Sequence, residues 1–193
     1  MGFAASVLVL TALAVRIRDG RPPLWDGAVL AFLGPDRYGE PLRSTLDVFM
    51  AIGGEYRGLV FAVLLIAVLV ALRRPRAALL STAVVGATIA TVVALEPAFE
   101  RPALIAGHQG YFPSGHAAGS LAVAGVLALV AWRTRWRWLV VTGGIVFVAL
   151  YGAALVYFRS HYPSDVVAGW CIAAAWTCVA APLVPRREAH SGR

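Results

Sequence analysis

Apolar residues come in blocks along this chain, and arginines, prolines or short polar islands separate the blocks. The first runs from Phe3 to Val15 and is closed by Arg16 and Arg18. Gly58 to Leu72 ends at Arg73-Arg74-Pro75-Arg76, and Ala77 to Leu95 ends at Glu96. Ala117 to Trp132 stops at Arg133-Thr134-Arg135-Trp136-Arg137, and Trp138 to Phe158 stops at a histidine-bearing loop. Val166 to Pro185 is the last run, followed by Arg186-Arg187. Uncharged runs of this kind predict helices that cross a bilayer. The expected fold is therefore all-α, an integral membrane bundle of six transmembrane helices.

Phe3–Val15 lacks the preceding positive charge of a signal peptide, although Ala12-Leu13-Ala14 resembles a cleavage site. It is read as an uncleaved first helix, extended by snorkelling arginines. From Asp19 to Arg57 charges, glycines and prolines are scattered among short apolar stretches such as Ala28–Leu33 and Val48–Ile52. This predicts an interfacial segment carrying a short amphipathic helix. The chain is expected to form one membrane domain over residues 1–193. Within it, 1–57 hold the first helix and the interfacial segment, 58–185 a five-helix catalytic core, and 186–193 a polar tail.

Composition supports the membrane reading. The chain is 60% hydrophobic and 14% charged, where a soluble domain carries about 25% charged residues. The formal charge is +7, and all 17 basic residues are arginines. They gather at the ends of the apolar runs, which is the pattern of topology signals and anionic-lipid contacts, not of nucleic-acid binding. Dense arginine turns at 73–76, 133–137 and 186–187 are expected to face the cytoplasm, with Trp132, Trp136 and Trp138 in the interfacial belt. The alternate turns then face outward, and the simple anchor and arginine-rich composition fit a bacterial inner membrane. Cys171 and Cys178 lie on one face of one apolar run, too far apart for a bridge, and are read as packing residues.

Both outward turns hold a histidine. Tyr111-Phe112-Pro113-Ser114-Gly115-His116 opens the fourth span, and Ser160-His161-Tyr162-Pro163-Ser164-Asp165 opens the sixth. Polar groups beside membrane-length segments are functional candidates by default. At the first island, a helix N-terminus offers unpaired N–H groups and the positive end of the helix dipole, an anion site. Pro113 and Gly115 allow a sharp approach, Ser114 suits an N-cap or a phosphate donor, and His116 beside the anion suits protonation of a leaving oxygen. At the second, His161 and Asp165 are spaced i, i+4, so a helical turn puts them on one face. An aspartate on one imidazole nitrogen fixes the tautomer and sharpens the other as a nucleophile. Taken singly, each island also suits a capped helix with a surface polar pair. Zinc is the alternative use of His116, His161 and Asp165, with His108 as a fourth ligand. The Ser-Gly pair has no role in a metal site, so no metal and no cofactor are expected.

These residues resemble the type 2 phosphatidic acid phosphatases, the membrane branch of the superfamily that also holds vanadium haloperoxidases. That family's signature reads Lys-x6-Arg-Pro, then Pro-Ser-Gly-His, then Ser-Arg-x5-His-x3-Asp. Pro113-Ser114-Gly115-His116 matches the second part in full, and His161 to Asp165 matches the end of the third. The resemblance covers most of the chain from residue 58 onward and implies a core like that of the family and the haloperoxidases. It implies catalysis without metal: His161 attacks phosphorus to form a phosphohistidine, Asp165 orients it, and His116 protonates the leaving alcohol.

The chain departs from the signature where the cations belong. Ala154 and Leu155 replace Ser-Arg of the third part. Taking Arg101-Pro102 as the Arg-Pro pair puts Ala94 at the lysine position; sliding by two puts Glu96 there and Ala103-Leu104 at Arg-Pro. A dianionic phosphate in a low-dielectric site needs cationic partners. Arg101 is expected to supply one and Arg159, two residues before His161, another, with Ser114 and Gly115 completing the substrate-binding set.

The resulting expectation is a lipid phosphate phosphatase. It would hydrolyse a phosphate or diphosphate monoester whose tail stays in the bilayer, of the phosphatidic acid, phosphatidylglycerophosphate or polyprenyl phosphate type. The rival is a catalytically degenerate relative that binds lipid head groups or a partner. A small transporter finds no support beyond the spans, because no internal repeat is visible.

Overall fold

The computed structural model describes residues 2–21, 23–34, 40–53, 57–105 and 110–184. Among them are eight helices, in order α1 (Gly2–Arg18), α2 (Leu24–Phe32), α3 (Glu40–Gly53), α4 (Arg57–Ala71), α5 (Pro75–Leu95), α6 (Gly115–Ala131), α7 (Arg137–Tyr157) and α8 (Pro163–Ala180). Every apolar run of the sequence becomes a helix, so the all-α reading holds. The count of spans is met only in part. Pro75–Ala98, Arg137–Tyr157 and Pro163–Leu183 are long and apolar enough to cross a membrane. α1 and α6 have 17 residues and α4 has 15, short of the roughly 20 that a bilayer core asks for. The arginine turn at 186–187 and His108 lie outside the described residues.

Three helices stop in the same way. Gly20 after α1, Arg73 after α4 and Arg159 after α7 take φ of 67°, 54° and 54°. At each, two backbone N–H groups fold back onto the last turn; after α7 Arg159 N donates to Val156 O at 3.0 Å and Ser160 N to Leu155 O at 2.9 Å. A left-handed residue closing a helix satisfies its orphaned carbonyls.

The centre of the bundle is α8, packed chiefly against α6 and α1 and flanked by α5. Its contacts with α6 run through small buried residues, including Ala117, Ala118, Ala122 and Ala173, while Ala168 packs against Leu13 and Ile17 of α1. Small side chains let helix backbones approach closely where lipid supplies no hydrophobic drive. The limit is Gly169, where a Cβ would lie 2.4 Å from Ser114 O and 3.0 Å from Ala118 N. Gly169→Ala must part α8 from the start of α6. It is expected to cost about 1–3 kcal/mol, read as a lowered unfolding temperature in detergent. The outward faces of α4 and α7 carry exposed Leu59, Phe61, Leu64, Leu139 and Ile145, a surface suited to lipid.

The segment expected to lie at the interface holds two helices, both docked on the core. α3 packs on α7, with Leu46 in a cluster with Ala154 and Tyr157. α2 touches the start of α8. The loop before α6 contains a feature the sequence did not predict, an antiparallel hairpin of β1 (Glu100–Arg101) and β2 (Gly110–Tyr111). It pairs Glu100 with Tyr111 and Arg101 with Gly110. A Cβ on Gly110 would fall 2.3 Å from Arg101 O, so only glycine fits opposite Arg101.

Candidate active site

The site forms where α6 and α8 begin. Pro163 occupies the first turn of α8, where its missing N–H costs no helical bond. Asp165 Oδ2 accepts from the Tyr162 backbone N–H at 3.0 Å, which caps the helix from within. Asp165 O accepts from Ser114 N at 3.0 Å, so the α8 turn fixes where α6 starts. Ser114 is the N-cap of α6, its Oγ accepting from Ala117 N at 3.2 Å. It is fully buried, so the structure uses it in the first of the two roles that the sequence allowed. Gly115 is exposed at the helix tip, beside half-buried His116.

The two histidine islands meet. The His116 and His161 rings are 6.1 Å apart between centroids and tilted by 56°. His161 is 7% exposed, and its Nδ1 lies 3.8 Å from Asp165 Oδ2. That is an ion-pair distance and not a hydrogen bond, and among the described residues Nδ1 has no hydrogen-bond partner. Catalytic hydrogen bonds often tighten only when substrate binds. The expected helical turn begins only at Pro163, so His161 lies just before α8, and Asp165 stands on its Nδ1 side without the expected hydrogen bond.

Arg101 is buried behind this pair. Its Nη1 donates to Ser164 Oγ at 2.8 Å and to Asp165 Oδ1, and its Nη2 donates to Asp26 Oδ2 at 3.0 Å. The guanidinium carbon sits 3.8 Å from the centroid of the Tyr162 ring. Both terminal nitrogens of the expected phosphate-binding cation thus face protein oxygens. Arg159 is exposed, with Nη2 3.9 Å from the point a Cβ on Gly34 would occupy, so it leans toward the end of α2.

Two acidic residues join the site that sequence reasoning did not assign to it. Asp26 reaches in from α2 and is 3% exposed. Its Oδ1 accepts from Ser164 N at 2.8 Å, and its Oδ2 from Ser164 Oγ at 2.6 Å as well as from Arg101. The only sequence signal was an acidic residue inside the otherwise apolar Leu24–Phe32. Glu96, half-buried at the end of α5, lies within electrostatic range of His161. It holds one of the two registers for the family's lysine. The altered third motif has become packing: Ala154 and Leu155 are 0% and 1% exposed in apolar clusters. Among the described residues, no group of three or more His, Cys, Asp or Glu is arranged to hold a metal ion.

Arg159 is the one expected site cation that projects to the surface, and it holds a left-handed conformation that glycine adopts more readily. Arg159→Gly is expected to stabilise the fold by about 1 kcal/mol, because it relieves a left-handed backbone that a Cβ disfavours, while raising KM several-fold. Unfolding and kinetic titrations on one preparation separate the two effects.

A sequence model described as the PAP2 superfamily matches residues 58–189. An undecaprenyl-diphosphatase of Sulfolobus acidocaldarius is 34% identical over 61 residues, 32% of this chain and 27% of that relative's length. The fold is similar to the crystal structure of a transmembrane PAP2-type phosphatidylglycerolphosphate phosphatase from Bacillus subtilis. That match has a TM-score of 0.79 at 18% identity and covers 96% of this chain and 98% of the other.

Proposed function

The chain belongs to the PAP2 superfamily, and on that premise we propose that it is a metal-independent lipid phosphate phosphatase acting through a phosphohistidine. The observation that carries this reading is the convergence of His116, His161 and Asp165 from two chain segments at one end of the bundle, with the two rings 6.1 Å apart and Asp165 Oδ2 3.8 Å from His161 Nδ1. His161 Nε2 attacks phosphorus while the bond from phosphorus to the lipid oxygen breaks. His116 delivers a proton to the departing alkoxide, and Asp165 supports the positive charge that develops on the His161 ring. Water then attacks phosphorus, His116 takes its proton, and the N–P bond breaks to release phosphate. The backbone N–H groups at the tip of α6, around Gly115, receive the phosphoryl oxygens, with Arg159 at the rim.

The substrate class follows from the setting. Apolar helix faces accept a lipid tail while the head group reaches the histidines at the ends of α6 and α8. Phosphatidic acid, phosphatidylglycerophosphate and polyprenyl phosphates or diphosphates all fit. The names of the structural neighbour and of the Sulfolobus relative support the last two. We place the site on the extracytoplasmic face of a bacterial inner membrane, because the described arginine-rich turns at 73–76 and 133–137 lie at the opposite ends of α5, α6 and α7.

A second reading has its own observation. Arg101 is committed to two carboxylates, and Leu155 fills the place of the family arginine. A site with so few free cations among the described residues suits binding of a head group without turnover. Phosphate release from a panel of lipid phosphates, by purified protein in detergent with EDTA present, decides between them. Release that survives EDTA establishes the phosphatase. Head-group binding without release from any lipid establishes the binder.

A further inference from the structure

Asp26 has no counterpart in the signature motifs, yet it is among the most thoroughly engaged side chains of the site. Both oxygens are bonded: Oδ1 to Ser164 N–H, and Oδ2 to the Ser164 hydroxyl and the Arg101 guanidinium. Arg101 passes the connection to Asp165 Oδ1, and Asp165 Oδ2 faces His161 Nδ1. We propose that Asp26 is a positioning residue of the active site, the outer end of a buried relay Asp26–Arg101–Asp165–His161 through which α2 sets the tautomer and orientation of the nucleophile.

Geometry places the relay on the Nδ1 side of His161, away from the Nε2 that meets phosphorus. Arg101 therefore acts by holding Asp165, not by holding substrate. The charge count agrees. Among these buried groups, two carboxylates share one guanidinium, which leaves one net negative charge behind His161. Such an excess repels a phosphate dianion but stabilises an imidazole ring that turns positive as its Nε2 bonds to phosphorus. It lies where that charge develops. Asp26 also supplies acceptors to the first turn of α8, whose N–H groups have no helical partner. The same contacts thus fix the turn that carries Asp165. Without Asp26, Arg101 keeps only its Nη1 bonds to Ser164 and Asp165 and loses the Nη2 anchor that fixes the plane of its guanidinium.

The kinetic part of this inference rests on the proposed phosphatase reading, so the test has a readout that does not. The full chain in detergent, labelled with 15N-histidine, reports the His161 tautomer by NMR, with His161→Gln identifying its signals. Wild type is expected to hold the Nδ1–H tautomer. Asp26→Asn keeps the shape and removes the charge, and is expected to shift His161 toward the Nε2–H tautomer. On the substrate found for wild type it should lower kcat about 10- to 100-fold, the usual cost of losing an outer partner, with KM within about twofold. Asp26→Glu should restore part of kcat. Arg101→Gln with Asp26→Asn should be no slower than Arg101→Gln alone, because the two act in one line. An Asp26→Asn protein that folds with wild-type tautomer and wild-type kcat overturns the proposal. If Asp26→Asn does not fold, Ser164→Ala cuts half of the same contact and must move tautomer and kcat in the same direction, or the relay is overturned. A wild type that releases no phosphate sinks the phosphatase reading, while the tautomer comparison still decides the relay.

Discussion

His161→Ala abolishes phosphate release, by about four to six orders of magnitude in kcat, with lipid head-group binding kept within a few-fold. The expectation follows from where His161 stands. It is 7% exposed, 6.1 Å from His116 between ring centroids, and backed by Asp165. His161 thus has a carboxylate on its Nδ1 side and a second histidine close by, the arrangement that an oriented nucleophile needs. His116→Ala should be milder with substrates whose leaving group is acidic, because they need no proton to depart. Rapid alkaline quench of wild type with labelled substrate should trap an alkali-stable, acid-labile phosphoramidate at His161. A His161→Ala protein that still turns over would remove the phosphohistidine from the mechanism and assign the nucleophile to water.

How far the sequence announced this site depends on how local each part is. His116, His161 and Asp165 were legible because their chemistry is written in short stretches at helix starts. The i, i+4 spacing and a Ser-Gly pair before an apolar run fix geometry within one turn. The helices were legible for the same reason, since a long apolar run admits few other structures in a membrane. So were their lengths: α4 and α6, of 15 and 17 residues, are about as long as the runs Gly58–Leu72 and Ala117–Trp132, so their shortfall against a span of roughly 20 residues was already written in the sequence.

Asp26 was not legible. Its bonds to Ser164 cross 138 positions of the chain, and a lone aspartate in a Gly- and Pro-bearing stretch reads as a solvated charge. The β1–β2 hairpin escaped as well, because two residues per strand carry no period. It matters all the same, since it holds the Arg101 backbone against Gly110. The arginine was recognised as a cation; its partners were not, and partners decide what a cation does. A guanidinium facing open space binds phosphate, whereas one between two carboxylates orders the protein.

Arg101→Leu follows from that distinction and is the largest stability effect expected outside the hydrophobic core. The substitution leaves Asp26 and Asp165 buried, close together and without their shared cation. Removing one partner of a buried ionic cluster costs about 3–5 kcal/mol, because the remaining charge stays desolvated. At this chain length that lowers the unfolding temperature by roughly 6–20 °C, measurable by tryptophan fluorescence in detergent. Adding Asp26→Asn removes one of the stranded charges and should return part of the loss, so the double variant is more stable than Arg101→Leu alone. That reversal separates electrostatics from packing, since a lost packing contact over Tyr162 would not be repaired by a change at Asp26. Phosphatase activity should not return with stability, because Asp165 in the double variant still lacks the guanidinium that holds it behind His161. A double variant that recovers both would mean Arg101 serves the fold alone.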